Sequence, residues 1–153
     1  MTLSSNFEIG PARIGPQESV YVIAEVGVNH DGSLSRAFEL VEAAADTGVQ
    51  AVKFQVFRAD SLVSPDTPQA NYQARHDPAR SQHEMLSRLE MDDDSFAQIA
   101  RRCHALGLEF LASPFDERSL GLLLDLDVSA IKLGSGELTN HPLIEEVGRS
   151  GKP

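Results

Sequence analysis

The sequence predicts an α/β fold of the parallel (β/α) TIM-barrel type, with about the first four β/α units carried by 153 residues. Three observations lead there. Short β-rich apolar runs alternate with helix-period segments four times, an order that calls for parallel strands joined by right-handed crossovers. Turns from helix to strand are short, whereas the connections that follow strands are polar. Each strand also ends in polar or ionisable residues, as expected where the loops after the strands build a site on one face of a barrel. A doubly wound nucleotide-binding sheet would need a glycine-rich turn after its first strand, and EVGVNHDGS at 25–33 contains no G-x-G-x-x-G.

The elements follow in order. Residues 1–19 form a lead-in, in which FEIGPARIG reads as a small hairpin or an irregular stretch turning at Gly10-Pro11. VYVIAEVG (20–27) is nearly continuous in apolar residues, the pattern of a strand covered on both faces. The next helix has Ser33 as its N-cap, a stripe of Leu34, Phe38, Val41 and Ala45, and Gly48 as its stop. AVKFQVF (51–57) is the second strand. Residues 58–80 are rich in Pro, Asp, Ser and Gln without a sustained period and read as a long loop. HEMLSRLE predicts a short helix. A full helix follows from the acidic run Asp92-Asp93-Asp94, which suits a helix start, to Gly107. LEFLAS (108–113) is a third strand, ERSLGLLLDLD a third full helix, and SAIKLGS (129–135) a fourth strand. In the last helix Asn140 caps and Pro142 sits in the first turn. Residues 20–153 thus read as the N-terminal half of a barrel, reaching Pro153 where a fifth strand would be expected.

Composition narrows the function. Apolar residues at 41% and charged residues at 24% are ordinary for a globular domain. A formal net charge of −10, from 23 acids against 13 bases, argues against a broad nucleic-acid footprint. No apolar run approaches the ~20 residues that span a bilayer, and MTLSSNFEIG lacks the basic start and apolar stretch of a signal peptide, so no membrane role is expected and a cytoplasmic location follows by default. The single Cys103 excludes an internal disulfide and reads as a packing residue.

The second strand poses a chemical question. Lys53 and Gln55 alternate with Val52, Phe54 and Val56, and in a closed barrel their side of the strand faces the interior. An ammonium there calls for a carboxylate or a ligand. Glu25 ends the first strand, Ser113 the third, and Lys132 lies in the fourth, followed by Ser135 and Glu137. Parallel strands bring these groups to one end of the sheet. Two lysines and two hydroxyls in an acidic chain suit a small phosphorylated anion. Structural ion pairs, Lys53 with Glu25 and Lys132 with Glu137, are the plainer reading. The five histidines show no ligand spacing: His30 reads as a structural or supporting residue, and His76, His83, His104 and His141 fall on loops or helix faces.

IAEVGVNHDGS, AVKFQVF, ASPFDERS and IKLGSGELTNHPLIEEVGRSGKP resemble, in order and spacing, the N-terminal part of the sialic acid synthase family, which includes N-acetylneuraminate, legionaminate and pseudaminate synthases and spore-coat polysaccharide relatives. The resemblance runs from about Val20 to Pro153. It implies a TIM barrel, commonly followed by a small antifreeze-like domain that does not fall within these residues, and a homodimer at full length. It also implies condensation of phosphoenolpyruvate with an N-acetylated amino sugar, with release of phosphate and a divalent metal, Mn2+ or Mg2+, whose two histidine ligands are expected outside this chain. By resemblance Lys53, Ser113, Lys132 and Ser135 hold phosphoenolpyruvate, Gln55 and Glu137 face the sugar together with Asn71, Tyr72 and Asp77 of the long loop, and Glu25 sits by the reacting carbons. Ala112-Ser113 stands where the family more often has Ser-Thr, and QANYQARHDPARSQHEM matches the family only loosely, so the identity of the sugar is not legible. The residues alone also fit an aldolase-like or phosphosugar-binding barrel, in which the lysines would form Schiff bases or hold a sugar phosphate, or a non-catalytic half-barrel that assembles with a partner. The chain by itself is expected to lack synthase activity.

Overall fold

The computed structural model describes residues 6–70, 79 and 81–153. β1 (Phe7–Ile9) and β2 (Ala12–Ile14) form the expected hairpin, with Phe7 opposite Ile14 and Ile9 opposite Ala12. β3 (Ile23–Gly27), β4 (Ala51–Val56) and β5 (Glu109–Pro114) form a parallel sheet in the order β3-β4-β5. α1 (Leu34–Ala45) joins β3 to β4. α2 (Ala59–Leu62), α3 (Gln82–Leu89) and α4 (Asp93–Ala105) lie between β4 and β5, and α5 (Glu117–Asp125) and α6 (His141–Ser150) follow.

Local chemistry explains the helix starts. Ser33, Ser81, Asp92, Asp116 and Asn140 each accept a backbone N–H from the first turn of the helix they precede. The acidic run at 92–94 is therefore a cap and a first turn, as its position suggested.

The two faces of the sheet have different partners. Val52, Phe54, Val56, Phe110 and Ala112 point to the helices and share one core with Val41 of α1, Phe96, Ile99 and Cys103 of α4, and Leu123 of α5. On the other face Ala51 and Leu111 pack with Ile9 of the hairpin and Ala130, flanked by Ile14 and Tyr21. The hairpin thus covers that face only at the N-terminal ends of the strands. Lys53, Gln55 and Ser113 continue along the same face toward the C-terminal ends, as period-2 alternation requires.

Three expectations need correction. The first strand begins at Ile23 instead of Val20 and is not covered on both faces: Val20 is 85% exposed, Val22 47% and Ile23 40%. Among the described residues β3 pairs only with β4, so its other edge and part of its surface stay open. The fourth strand is reduced to one bridge, Ile131 beside Ala112. There Lys132 N donates to Ala112 O at 3.4 Å and Ile131 N to Pro153 O at 2.9 Å. The run then turns into a 3-10 helix, Ser135–Thr139, before a ladder can extend. Finally, the long loop after β4 contains the short helix α2, which its proline-rich composition hid. Among the described residues no helix is long and apolar enough to cross a membrane.

Candidate active site

The parallel register assembles the centre of the site. Glu25 stands opposite Lys53 across β3 and β4, and Gln55 opposite Ser113 across β4 and β5. All four share the face turned away from the helices. The Lys53 ammonium lies 2.5 Å from the Glu25 carboxylate, so the ion pair expected as the plainer reading is present. Lys53 is only 8% exposed, whereas the Glu25 side chain is 52% exposed. The cation is therefore held inside and its counter-ion reaches outward. Ser113 is buried, and its hydroxyl has no hydrogen-bond partner among the described residues. Such a group costs on the order of 1–3 kcal/mol relative to a satisfied one, so it calls for an explanation.

The next segment adds Lys132. Ile131 packs against the helix-side core and Ala130 against the hairpin side, which sets Lys132 on the side of Lys53. It is exposed and makes no ion pair among the described residues, and Glu137 does not pair with it. Glu137 instead accepts from Asn140 Nδ2 at 2.8 Å, and Asn140 Oδ1 accepts from Leu143 N. One side chain thus caps α6 and anchors the carboxylate of the preceding turn. Ser135 opens that turn and is exposed. Asn71, Tyr72 and Asp77 lie outside the described residues, as does His76.

His30 takes the structural place expected of it. It is 1% exposed, its Nδ1 accepts from Gly32 N at 3.1 Å, and its ring lies 6.0 Å from that of Phe54. Burial pushes its pKa below the usual histidine value, against a smaller opposing pull from Asp31. His83 pairs with Asp60 at 2.7 Å and links α2 to α3, while His104 and His141 are exposed. Cys103 is fully buried and its thiol is pushed up to about 12 by burial, which fits packing and not reactivity. Among the described residues no group of three or more His, Cys, Asp and Glu could hold a metal ion.

Sequence reasoning passed over Arg58. Its guanidinium pairs with Asp93, lies 3.7 Å from Glu90 and donates to Met91 O at 2.9 Å. Its backbone N donates to Asp116 Oδ2 at 3.0 Å, and Ala59 N to Glu90 Oε2 at 2.9 Å. This network ties the exit of β4 to the starts of α4 and α5. The only signal in the sequence was an arginine directly after a buried strand. A cleft of about 630 Å3 opens beside it, between Asp92–Asp94 and Arg118, and none of the candidate residues lines it.

Comparison with known proteins now has a site to refer to. A family model described as the NeuB family matches residues 40–153. The chain belongs to the NeuB family. Among curated relatives, the NeuB-family chain is 41% identical over 140 residues to an N,N'-diacetyllegionaminic acid synthase from Legionella pneumophila, covering 91% of this chain and 39% of that protein. Among solved structures it is similar to the N-acetylneuraminic acid (sialic acid) synthetase of Leptospira borgpetersenii in complex with citrate, with a TM-score of 0.82, 27% identity, and coverage of 96% of this chain and 47% of that one. A truncated 3-deoxy-D-arabino-heptulosonate 7-phosphate synthase from Thermotoga maritima shares the fold with a TM-score of 0.64 at 12% identity, over 97% of this chain and 43% of the other. The NeuB-family chain therefore spans about two fifths of the length of the curated relatives it matches.

Proposed function

We propose that these residues supply the first strands of a (β/α)8 barrel that condenses phosphoenolpyruvate with an N-acetylated amino sugar to give a nonulosonic acid and phosphate. The observation that carries this reading is the buried Lys53 ammonium on the same face as the buried Ser113 hydroxyl, which has no hydrogen-bond partner among the described residues, at the open end of an otherwise apolar face. An ammonium and a hydroxyl donor together suit the carboxylate and phosphate oxygens of phosphoenolpyruvate, and Lys132 and Ser135 follow on the adjacent segment. Family membership and relatives named as synthases of sialic-type acids support the same chemistry.

Carbon–carbon bond formation at the methylene carbon of an enol phosphate leaves positive character on the carbon that carries the phosphate oxygen. Glu25, on the same face, offers a carboxylate to steady that charge or to take a proton from the water that ends on that carbon before phosphate departs. Gln55 and Glu137 present an amide and a carboxylate to sugar hydroxyls. The chain's part is to bind and orient. A divalent cation, Mn2+ or Mg2+, belongs to this proposal with ligands outside the described residues, and none of the steps above runs through it. A homodimer belongs to it as well.

The test replaces Ser113 with Ala in a protein that carries this chain at the length of its relatives, with phosphate release followed as each substrate is varied. The expected result is an increase of about 10-fold or more in KM for phosphoenolpyruvate with KM for the sugar little changed, because one hydrogen bond to a charged group is lost. An unchanged KM for phosphoenolpyruvate would remove Ser113 from the site. No phosphate release by the parent protein would remove the reaction itself.

A further inference from the structure

Asn140 stands between two groups with opposite hydrogen-bonding demands. Its Oδ1 accepts from Leu143 N at 3.4 Å, and its Nδ2 donates to Glu137 Oε2 at 2.8 Å. A backbone N–H needs an acceptor and a carboxylate needs a donor, so the two partners together fix which way the amide faces. Capping alone does not call for this residue. Asn, Asp and Ser cap helices about equally well, and with Pro142 lacking an N–H, Leu143 is the donor left for the cap. Of the three, only asparagine has a separate donor atom to offer a carboxylate while its oxygen caps. Glu137 is held at three atoms as a result: its N donates to Gly134 O at 3.1 Å, its O accepts from Asn140 N at 2.9 Å, and Oε2 takes the amide. Oε1 has no hydrogen-bond partner among the described residues. An amide tethers the carboxylate without cancelling its charge, in contrast to Glu25, whose carboxylate meets the Lys53 ammonium.

We infer that Asn140 is a positioning residue for the sugar site: it fixes the Glu137 carboxylate through Oε2, so that Oε1 meets a sugar hydroxyl in one orientation with its charge intact. The inference rests on the proposed sugar substrate and on Glu137 facing it, and adds the residue that aims that carboxylate. Both side chains are half-buried. An untethered glutamate would lose rotamer freedom on binding a hydroxyl, and the tether removes that freedom before the sugar arrives. Loss of Nδ2 therefore weakens the sugar. Phosphoenolpyruvate, whose proposed contacts are Lys53, Ser113, Lys132 and Ser135, is left nearly untouched.

The experiment uses Asn140→Asp and Asn140→Ser in a protein carrying this chain at the length of its relatives. Asn140→Asp keeps an oxygen at the cap and replaces the donor with an acceptor; Asn140→Ser keeps the cap and adds no charge. Phosphate release is followed as N-acetylmannosamine and phosphoenolpyruvate are varied in turn, and urea denaturation checks the fold. Expected are urea midpoints close to the parent's, a sugar KM raised about 10-fold in Asn140→Asp and at least about threefold in Asn140→Ser, and a phosphoenolpyruvate KM within about twofold of the parent. Glu137→Gln alone should also raise sugar KM. Adding Asn140→Asp to Glu137→Gln should then change it by less than about twofold, because the glutamine amide can donate to the aspartate and rebuild the tether with its polarity reversed. An unchanged sugar KM in Asn140→Asp, a rise there but not in Asn140→Ser, equal shifts for both substrates, or the same rise whether residue 137 is Glu or Gln would overturn the inference while the reaction stands. A Glu137→Gln protein that matches the parent removes Glu137 from the sugar site and the inference with it. A parent that releases no phosphate removes the reaction as well.

Discussion

Replacing Lys53 with methionine separates a binding residue from a structural ion pair, because the two roles predict opposite balances of stability and affinity. In the folded chain the ammonium is buried and its partner, Glu25, has a side chain half exposed to water. Removing the lysine leaves behind a carboxylate that water can solvate, so little is lost. A half-exposed ion pair is worth roughly 0–1 kcal/mol, and methionine keeps most of the aliphatic volume while ending the desolvation cost of the ammonium. Lys53→Met should therefore leave unfolding free energy within about 1 kcal/mol of the parent. The reciprocal change is not equivalent: Glu25→Gln leaves a buried ammonium facing an amide, a loss of about 1–3 kcal/mol. Affinity should run the other way, since a lost charge-assisted contact of roughly 1.5–3 kcal/mol corresponds to about 10- to 140-fold weaker phosphoenolpyruvate at ~1.4 kcal/mol per decade. Urea denaturation gives the first quantity and calorimetric titration of phosphoenolpyruvate the second. Loss of more than about 2 kcal/mol of stability in Lys53→Met, with affinity unchanged, would refute the reasoning and leave a purely structural pair.

Two further outcomes follow from burial. His30 has its pKa lowered by burial, so the native state favours the neutral ring; stability is full above the unfolded value of 6.5 and falls as pH drops below it toward the folded pKa, with a slope of up to about 1.4 kcal/mol per pH unit. Urea midpoints measured between pH 7.5 and pH 5 should show this fall, and His30→Gln should flatten it; an identical pH profile in the variant would assign the fall to other groups. Phe54 is fully buried and its ring neighbours those of His30, Phe96 and Phe110, so Phe54→Ala should cost about 3–5 kcal/mol in the same denaturation assay, and a loss below 1 kcal/mol would contradict the single helix-side core.

Most of the helix layer was legible because its signals are local. Ser33, Asp92 and Asn140 announce helix starts within a few residues of the groups they cap, and the alternation in VKFQV states which side chains share a face. The strands at the two margins of the sheet were harder. VYVIAEVG carries the composition of a covered strand, yet Val20 and Val22 lie outside β3, since coverage depends on what stands beside the strand and not on its own residues. SAIKLGS failed for a related reason: it makes one bridge to Ala112, and from Ser135 the chain turns away into a 3-10 helix. The bulge at Val26 and the carboxylate clamp of Asn140 on Glu137 left no mark in the pattern, because each depends on a contact made across the fold or across a turn of unpredicted type.

Within the site, the same alternation that builds the core also divides the inner face along its length. On β4 the inward positions run Ala51, Lys53, Gln55, and on β5 they run Leu111, Ser113. The first member of each series is sealed by Ile9 of the hairpin and by Ala130, so the N-terminal end of this face contributes packing. The next members carry the ammonium, the amide and the hydroxyl, beyond the apolar cluster that Ile9 and Ala130 close. Lys53 borders on both regions: its stem follows Ala51 and its charged end meets Glu25. A shift of one residue in the β4 register would send Lys53 and Gln55 into the helix-side core and Phe54 to the open face, so the core formed by Phe54, Phe96 and Phe110 holds the site in register from the opposite side of the sheet. Chemistry and stability are thus carried by alternate residues of one strand, and the packing that gives the fold its stability also aims the polar groups.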